Sequence, residues 1–358
     1  MWRIIFNYMI FYGDIAVPNS FSLKIKGIPE GYDKKRGFAN LEGAISFDNS
    51  FLSKNVVFNG NSAIDLLKQL SINGVSLANN HITDLGKDIS LTESILTKNG
   101  IGFCGYRYKQ NDSDYFSYEE NGKTYVVISF GWDVIGCKYP KKSKKGVNPL
   151  EKKSVLLQIQ TLKEEKPDAC IIVFPHWNYE LQDYPLPMQR EFAMLMIERG
   201  ANIVIGCHPH CFGGIEKHKN GIIAYSLGNF YFASDTYMSK RLRFPQKSEV
   251  ELALEVDKDN LFLHWFTFDR NTNSLFYEKK ESVGESNRIR EITPFSGLSN
   301  KEYVKWYKKN RKKSFVLPIF KKLGSPSNSL KKTIIKIRQF AISVLWKFNI
   351  KRSRSGNE

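Results

Sequence analysis

Up to about Phe268, short apolar runs rich in β-branched and aromatic residues alternate with segments in which apolar residues recur at helical spacing. Such runs are typical of buried strands, whereas a spacing of three and four residues is typical of amphipathic helices. The alternation predicts an α/β domain. The predicted strands cover 3–11, 75–78, 125–130, 169–174, 203–205 and 222–226, and the predicted helices cover 62–72, 89–99, 151–163 and 187–199.

Polar side chains of the metal-binding and catalytic types follow four of the predicted strands. They are Asp14 after the first strand, Asn79, Asn80 and His81 after the second, His176 after the fourth, and His208 with His210 after the fifth. Ligand sites in α/β sheets lie beyond the carboxyl ends of the strands. His208 and His210 are separated by one residue, so an extended backbone projects both rings to the same side. The pattern predicts metal-type ligands at one edge of a sheet.

A further pair of candidate residues, Asn40 and Glu42, lies in a loop before a strand-like segment. After about Phe268 the pattern becomes polar, and no internal repeat is apparent. We therefore predict a folded domain over 1–275, a polar to basic linker region over 276–325 and a basic amphipathic segment over 326–358.

The composition is that of a folded protein, with 42% hydrophobic and 13% aromatic residues in 358. Its five cysteines are an odd number without C-x-x-C spacing, which argues against a disulfide framework and against a structural zinc site. Cys207 and Cys211 flank the histidine pair and are weaker candidates for metal ligands.

The net charge of +17 is concentrated at the C-terminal end. Residues 301–358 contain 17 Lys and Arg and 2 acidic residues, so the rest of the chain is nearly neutral. A nearly neutral body argues against a nucleic-acid substrate, because nucleic-acid-binding proteins carry a basic patch on the binding face.

Apolar residues at three- and four-residue spacings predict an amphipathic helix in the last segment. They are Ile334, Ile337, Ala341, Val344, Leu345 and Phe348. Interspersed Lys and Arg make this segment too charged to span a bilayer comfortably. Binding to an anionic membrane surface is the favoured interpretation; packing on the domain or a partner and binding of nucleic acid are the alternatives.

The N-terminal apolar run lacks a small-residue cleavage site and is shorter than a membrane span. We interpret it as the first buried strand. The expected location is the cytoplasm, with peripheral association at the inner face of the cell membrane. The oligomeric state is not predicted.

Six short motifs in the same chain carry a family resemblance: "GD" at Gly13, "NLEG" at Asn40, "ANNHITDLG" at Ala78, "HW" at His176, "GCHPH" at Gly206 and "YSLGNF" at Tyr225. These motifs, and their order along the chain, resemble those of the CapA family of capsule and poly-gamma-glutamate synthesis proteins over about residues 3–235. That family belongs to the calcineurin-like metallophosphoesterases. The resemblance implies an α/β fold, a four-layer αββα sandwich, with a two-metal site at the strand ends.

Position by position, the resemblance implies a ligand set for two divalent ions, of Mn, Fe, Zn or Mg. Asp14 and His210 would bind the first metal, Glu42 would bridge both, and His81 would be the catalytic imidazole that faces the substrate phosphate. The second metal would be completed by Asn80, His176 and His208. The expected pocket residues are Asn40, Trp177, Glu180 and Asn229, although Trp177 fits the core equally well.

Two departures from the family pattern affect the surroundings of the site. The superfamily's Asp-x-His is Asp14-Ile15-Ala16 here, so the first metal has one histidine fewer and binds more weakly or is filled differently. Asn178 stands where the family has a glycine after "HW".

Two functions are compatible with these residues. The first is a hydrolase that uses a two-metal-activated water on a phosphomonoester or phosphodiester, lipid- or sugar-linked esters included, in capsule or surface-polymer biosynthesis. The second is a non-catalytic metal-binding accessory protein of a membrane-associated polymer assembly complex. The complete set of candidate ligands together with His81 favours the hydrolase.

Overall fold

The structure is a computed structural model that describes residues 8–107, 114–120, 122–141, 145–257, 260–311, 317–323, 325 and 328–347. Its strands are β1 (Tyr8–Ala16), β2 (Lys24–Lys26), β3 (Arg36–Leu41), β4 (Ala44–Ile45), β5 (Phe58–Asn59), β6 (Ile72–Ser76), β7 (Gly102–Cys104), β8 (Tyr106–Arg107), β9 (Phe116–Glu120), β10 (Lys123–Gly131), β11 (Gly146–Val147), β12 (Cys170–His176), β13 (Ile203–Ile205), β14 (Ile215–His218), β15 (Gly221–Ala224), β16 (Asn229–Phe232), β17 (Val250–Asp257), β18 (Asn260–Asp269) and β19 (Ser274–Ser282). Its helices are α1 (Asn61–Gln69), α2 (Ser90–Lys98), α3 (Lys152–Glu165), α4 (Pro187–Glu198), α5 (Asn287–Ile292), α6 (Asn300–Asn310) and α7 (Asn328–Lys347).

The first large sheet has nine strands in the order β2-β19-β18-β17-β1-β3-β6-β7, with β16 also paired to β1. β1 changes partner along its length: Tyr8–Tyr12 pair with β17, and Asp14 and Ala16 pair with β16. This exchange explains why β1 continues to Ala16 instead of ending at Phe11 as predicted, because its second half still has strands on both sides. Residues 3–7 of the predicted strand lie outside the described residues.

The second large sheet has six strands in the order β14-β15-β13-β12-β10-β9. Its central strands, β15, β13, β12 and β10, run parallel to one another. Each contains all or most of a segment that the sequence predicts as a strand. The parallel arrangement places the carboxyl ends of β12 and β13, and the residues that follow them, at the same edge.

The two sheets pack face to face, and helices cover their outer faces. Phe174 of β12 lies with its ring centroid 5.1 Å from that of Phe38 and 6.4 Å from that of Phe11, both on the first sheet. Because side chains alternate along a strand, Ile10 points to the opposite side, where α1 and α2 pack. α3 and α4 pack on the outer face of the second sheet. The predicted αββα sandwich is confirmed.

The segment predicted as a linker, 276–325, is largely part of the folded domain. The predicted boundary at residue 275 falls inside β19, which pairs with β18 and β2. Phe295, Tyr303 and Tyr307 are buried in the same apolar cluster as α3 and α4. The polar sequence misled the prediction because β19 buries only two of its nine residues and α6 buries only one narrow face.

The predicted C-terminal amphipathic helix is present as α7, and Phe348 lies outside the described residues. One face packs on the domain: Ile335 is buried, Lys332 Nζ lies 2.6 Å from Asp133 Oδ2, and Lys331 lies over the ring of Phe320. The opposite face exposes apolar side chains. Across the described part of the chain, we find no helix with the length and apolar character that crossing a bilayer requires.

We predict that Tyr303→Ala lowers the free energy of unfolding by about 3–5 kcal/mol, which is the range for truncating a large buried aromatic side chain. Tyr303 is fully buried, packs against Phe295 and the Arg190 guanidinium, and donates a hydrogen bond to the carbonyl of Pro185. Urea denaturation measures the change.

The matched control is Lys305→Ala, on the exposed side of the same helix. It should change the free energy of unfolding by less than about 0.5 kcal/mol. Equal stability of the two variants would contradict the assignment of α6 to the domain core.

Candidate metal centre

The carboxyl ends of strands from both sheets converge on one buried polar cluster. Asp14 lies in β1, opposite Asn40 of β3 on one side and Asn229 of β16 on the other. His176 is the last residue of β12. Glu42 follows β3, Asn80 and His81 follow β6, and His208 and His210 follow β13. The structure thus brings together every residue that the sequence predicts as a metal ligand.

The ligand atoms form two groups that share Glu42. One group consists of Glu42, His176 and His208, and the other of Asp14, Glu42 and His210. Within each group the candidate ligand atoms all lie within 4.8 Å of one another. Two adjacent sites with a common carboxylate are the arrangement that a pair of divalent ions requires, and the mixed oxygen and nitrogen donors suit Mn, Fe or Zn.

Glu42 shows that the cluster fits a cation. Its side chain is fully buried, and neither carboxylate oxygen has a hydrogen-bond partner among the described residues. Two imidazole nitrogens lie near Oε1, with His81 Nε2 at 3.7 Å and His176 Nε2 at 4.0 Å. Burial and the neighbouring Asp14 raise the pKa of Glu42 well above its usual range. A buried carboxyl group without hydrogen bonds is costly, and a bound cation would remove that cost.

Asp14 is held in place by two donors. Asn40 Nδ2 donates to Oδ1 at 2.8 Å, and the backbone amide of His208 donates to Oδ2 at 3.0 Å. Burial raises the pKa of Asp14 to about 7, although these hydrogen bonds oppose the shift. The carboxyl group is therefore oriented before any metal binds.

His176 and Asn80 are two neutral candidate ligands that lie next to each other. His176 Nε2 and Asn80 Oδ1 lie 2.8 Å apart. Burial, together with His208 and His210, holds the pKa of His176 well below its usual value. A neutral imidazole is the form that binds metals, so this environment favours ligation.

His210 is oriented by Asn229, because its Nδ1 lies 2.9 Å from Asn229 Oδ1. An amide oxygen can only accept, so Nδ1 carries the proton and Nε2 keeps its lone pair. This is the role of the outer partners that fix the tautomer of metal-binding histidines.

His81 lies beside the ligand cluster and is paired with Asp84. Its Nδ1 is 2.7 Å from Asp84 Oδ2, and the opposite nitrogen faces Glu42. Burial opposes protonation, but the charges of Asp84, Glu180 and Asp14 outweigh it and raise the pKa of His81. The ring therefore tends to carry a proton, as a group that stabilises or protonates an anion must.

Close backbone contacts build this edge. A Cβ at Gly13 would overlap the carbonyl of Gly228, to which the amide of Asp14 donates a hydrogen bond. His208 has a φ of 98° and His210 a φ of 58°, values that side-chain-bearing residues rarely adopt. Such strain is concentrated at functional sites because the surrounding packing must maintain it.

The structure places the four predicted pocket residues differently from one another. Glu180 lines the cavity above the cluster. Asn40 and Asn229 are buried and orient Asp14 and His210 instead of lining a pocket. The prediction that Trp177 lines the pocket is wrong. Trp177 is fully buried in the core under α4, and its indole N–H donates a hydrogen bond to the carbonyl of Tyr225. Cys207 and Cys211 are buried and belong to neither ligand group.

Several residues of the site were missed by sequence reasoning. Asp84 is not among the predicted site residues, yet it pairs with His81. Residues around 241–244 and the inner face of α7 line the cavity. For α7 a signal existed, since Ile335, Arg338, Gln339 and Ile342 have helical spacing.

The sequence over residues 33–234, more than half of the chain, matches the family of bacterial capsule synthesis proteins, PGA_cap. The chain belongs to this family. A capsule biosynthesis protein CapA from Bacillus anthracis is 30% identical over 173 residues, which is 47% of this chain and 42% of that protein. A PGA biosynthesis protein CapA from Bacillus subtilis (strain 168) is 33% identical over 175 residues, 48% of this chain and 45% of that protein. The chain thus matches less than half the length of these relatives.

Solved structures with a related fold include a 5'-nucleotidase precursor from Thermus thermophilus, at 11% identity and a TM-score of 0.40. The match covers 84% of this chain and 59% of that one. The NAD nucleotidase of Haemophilus influenzae is 10% identical with a TM-score of 0.39, again over 84% and 59% of the two chains.

We predict that Glu42→Gln abolishes the stabilisation that divalent ions give, without destabilising the metal-free protein. The substitution removes a buried charge that has no hydrogen-bond partner among the described residues, so only the metal-bound form loses an interaction. Thermal unfolding with and without Mn²⁺, paired with calorimetric titration of the ion, measures both effects.

His218→Gln is the matched control, since His218 lies outside the cluster and pairs with Glu198. It should keep the full Mn²⁺-dependent rise in melting temperature. Undiminished metal binding by Glu42→Gln would contradict the ligand assignment.

Proposed function

We propose that this protein hydrolyses a phosphoester at the cluster formed by Asp14, Glu42 and the histidines, and that it does so in capsule or surface-polymer biosynthesis. The observation that carries the proposal is the pair of ligand groups that share Glu42, with His81 beside them. Membership in the capsule synthesis family supports the biological role.

Two divalent ions at this centre would supply Lewis-acid activation of water and of the phosphoryl oxygens. The chain contributes the positioning. Asn40 and the His208 amide hold Asp14, and Asn229 holds His210, so the ligand atoms need little rearrangement. Preorganised charges of this kind lower the barrier because no reorganisation is needed during the reaction.

His81 is the proposed proton donor to the leaving group. Its pairing with Asp84 fixes the ring, and the charges of the neighbouring carboxylates raise its pKa, which favours the protonated form. A positioned general acid typically contributes a rate factor of about 10² to 10⁴. No protein nucleophile is required in this scheme.

We predict that the Mn²⁺-loaded protein hydrolyses 4-nitrophenyl phosphate or bis(4-nitrophenyl) phosphate, and that His81→Gln lowers kcat by about 10²- to 10⁴-fold. His81 is in neither ligand group, so its loss should leave the metal content unchanged. Release of nitrophenolate, together with metal analysis of the purified variant, gives both quantities.

His218→Gln should retain wild-type kcat in this assay. Metal bound in full without turnover of any ester would instead support the second candidate, a metal-binding accessory protein of polymer assembly. That candidate is favoured by the same buried ligands, because a metal can stabilise a fold without catalysis.

We also propose that the exposed face of α7 contacts an anionic membrane surface. Leu330, Ile337 and Phe340 are 69%, 64% and 70% exposed. Lys336 and other cations of the same helix would add attraction to acidic lipids, about 1 kcal/mol for each one near the surface. Large apolar side chains beside lysines are typical of interfacial helices.

We predict that the double variant Ile337→Ser, Phe340→Ser lowers binding to phosphatidylglycerol vesicles at least tenfold, because it removes the apolar contact. Leu157→Ser, at a similarly exposed position of α3, should bind as the wild type does. Co-sedimentation at low salt measures both, and equal binding by all three proteins would contradict a role for this face.

A further inference from the structure

A cavity of about 280 Å³ separates the metal centre from the C-terminal helix. His81 and His210 lie on one side, and Arg338, Gln339 and Ile342 of α7 lie on the other. A smaller adjoining cavity of about 70 Å³ is lined by His208 together with Glu180, Arg338 and Gln339. Any molecule that reaches the metal centre through this cavity therefore contacts α7.

The charged lining of the larger cavity selects an anion. Three arginines, Arg241, Arg243 and Arg338, line this cavity, and Glu180 is the one acidic residue of the lining. Arg338 is the one of these three arginines that lines both cavities. It therefore shares one cavity with His210 and the other with His208. A guanidinium is suited to phosphate because its planar donors match two oxygens at once.

The remaining lining is mainly apolar. Phe244 stacks on His210 with ring centroids 4.3 Å apart and meets Phe232 edge-on at 5.2 Å. The other apolar members are Val57, Leu181, Met238, Leu242 and Ile342. Outside the charged residues and the two histidines, only Asn55 and Gln339 of this lining are polar, so most of it offers a sugar hydroxyl group no partner, and unpaired buried polar groups are costly.

We propose that the substrate of this site is a phosphoester whose alcohol part is apolar, and that α7 supplies its specificity residues. The inference rests on the proposed function. Arg338 binds the anionic oxygens, and Ile342, together with Leu242 of the opposite wall, binds the apolar part. The C-terminal basic segment is thereby a component of the site as well as a surface helix.

The helix itself provides matched controls. Residues 335, 338, 339 and 342 recur at three- and four-residue spacings and line one or both cavities. Lys336 and Ile337 belong to the same turn region, are exposed, and line neither of these cavities. Arg338 and Ile342 can therefore each be compared with a residue of like chemistry on the same helix.

The test is calorimetric titration of the full-length, Mn²⁺-loaded protein with ethylphosphonate and with octylphosphonate below its micelle concentration. An alkylphosphonate has a C–P bond in place of the ester bond and is therefore not hydrolysed. Binding is thus measured apart from turnover. The wild type should bind octylphosphonate at least tenfold more tightly than ethylphosphonate.

Ile342→Ser should reduce that preference to less than threefold and leave ethylphosphonate binding unchanged, whereas Ile337→Ser should keep it. Arg338→Gln should weaken both ligands about tenfold, and Lys336→Gln by no more than twofold. If Ile342→Ser displaces the helix, Leu242→Ser on the opposite wall should show the same loss of preference for octylphosphonate. Thermal unfolding and metal content show whether each variant remains folded and loaded.

Equal affinity for the two phosphonates, in a protein that hydrolyses nitrophenyl phosphates, would overturn the proposed substrate class and leave the hydrolase standing. A chain-length preference without any hydrolysis would refute the proposed reaction and still support an apolar phosphorus ligand. The two proposals therefore fail separately.

Discussion

Two carboxyl groups, those of Asp14 and Glu42, are buried in one cluster at the ends of strands in the centre of the sandwich. Buried charges are costly unless they are paired, and these two also repel each other. Asp14 is partly satisfied by Asn40 and the His208 amide, whereas neither oxygen of Glu42 has a hydrogen-bond partner among the described residues. The rest of the site follows from this unfavourable arrangement, which is stable only because two packed sheets enforce it.

The backbone around the cluster shows how the packed sheets maintain this arrangement. β1 can bring Asp14 between β3 and β16 only because Gly13 has no side chain where it meets the backbone carbonyl of Gly228. The histidine segment after β13 keeps two non-glycine residues at positive φ. Core packing of the sheets outweighs these local costs, so the folding free energy of the whole domain maintains the geometry of a small site.

The C-terminal helix connects this site with the protein surface. Its inner face lines the cavity beside the ligand histidines, and its outer face is exposed, apolar and flanked by lysines. A single amphipathic element thus lies between the metal centre and the exterior. In the proposed scheme, the same 20-residue helix recognises the substrate on one side and a lipid surface on the other.

The sequence by itself determined the α/β class, helices α1 to α4 and the four parallel strands of the second sheet, because apolar periodicity reports burial locally. The residues that follow parallel strands meet at one edge, which predicted a polar site there, and the family resemblance of the motifs named the six candidate metal ligands. Only the tertiary structure decided that Asn40, Asn229 and Asp84 orient other residues and that Trp177 belongs to the core. It also decided that residues 276–310 complete the domain and that α7 covers the site. An amphipathic pattern specifies that one face will be buried, but the surface against which it packs depends on contacts between residues distant in the chain.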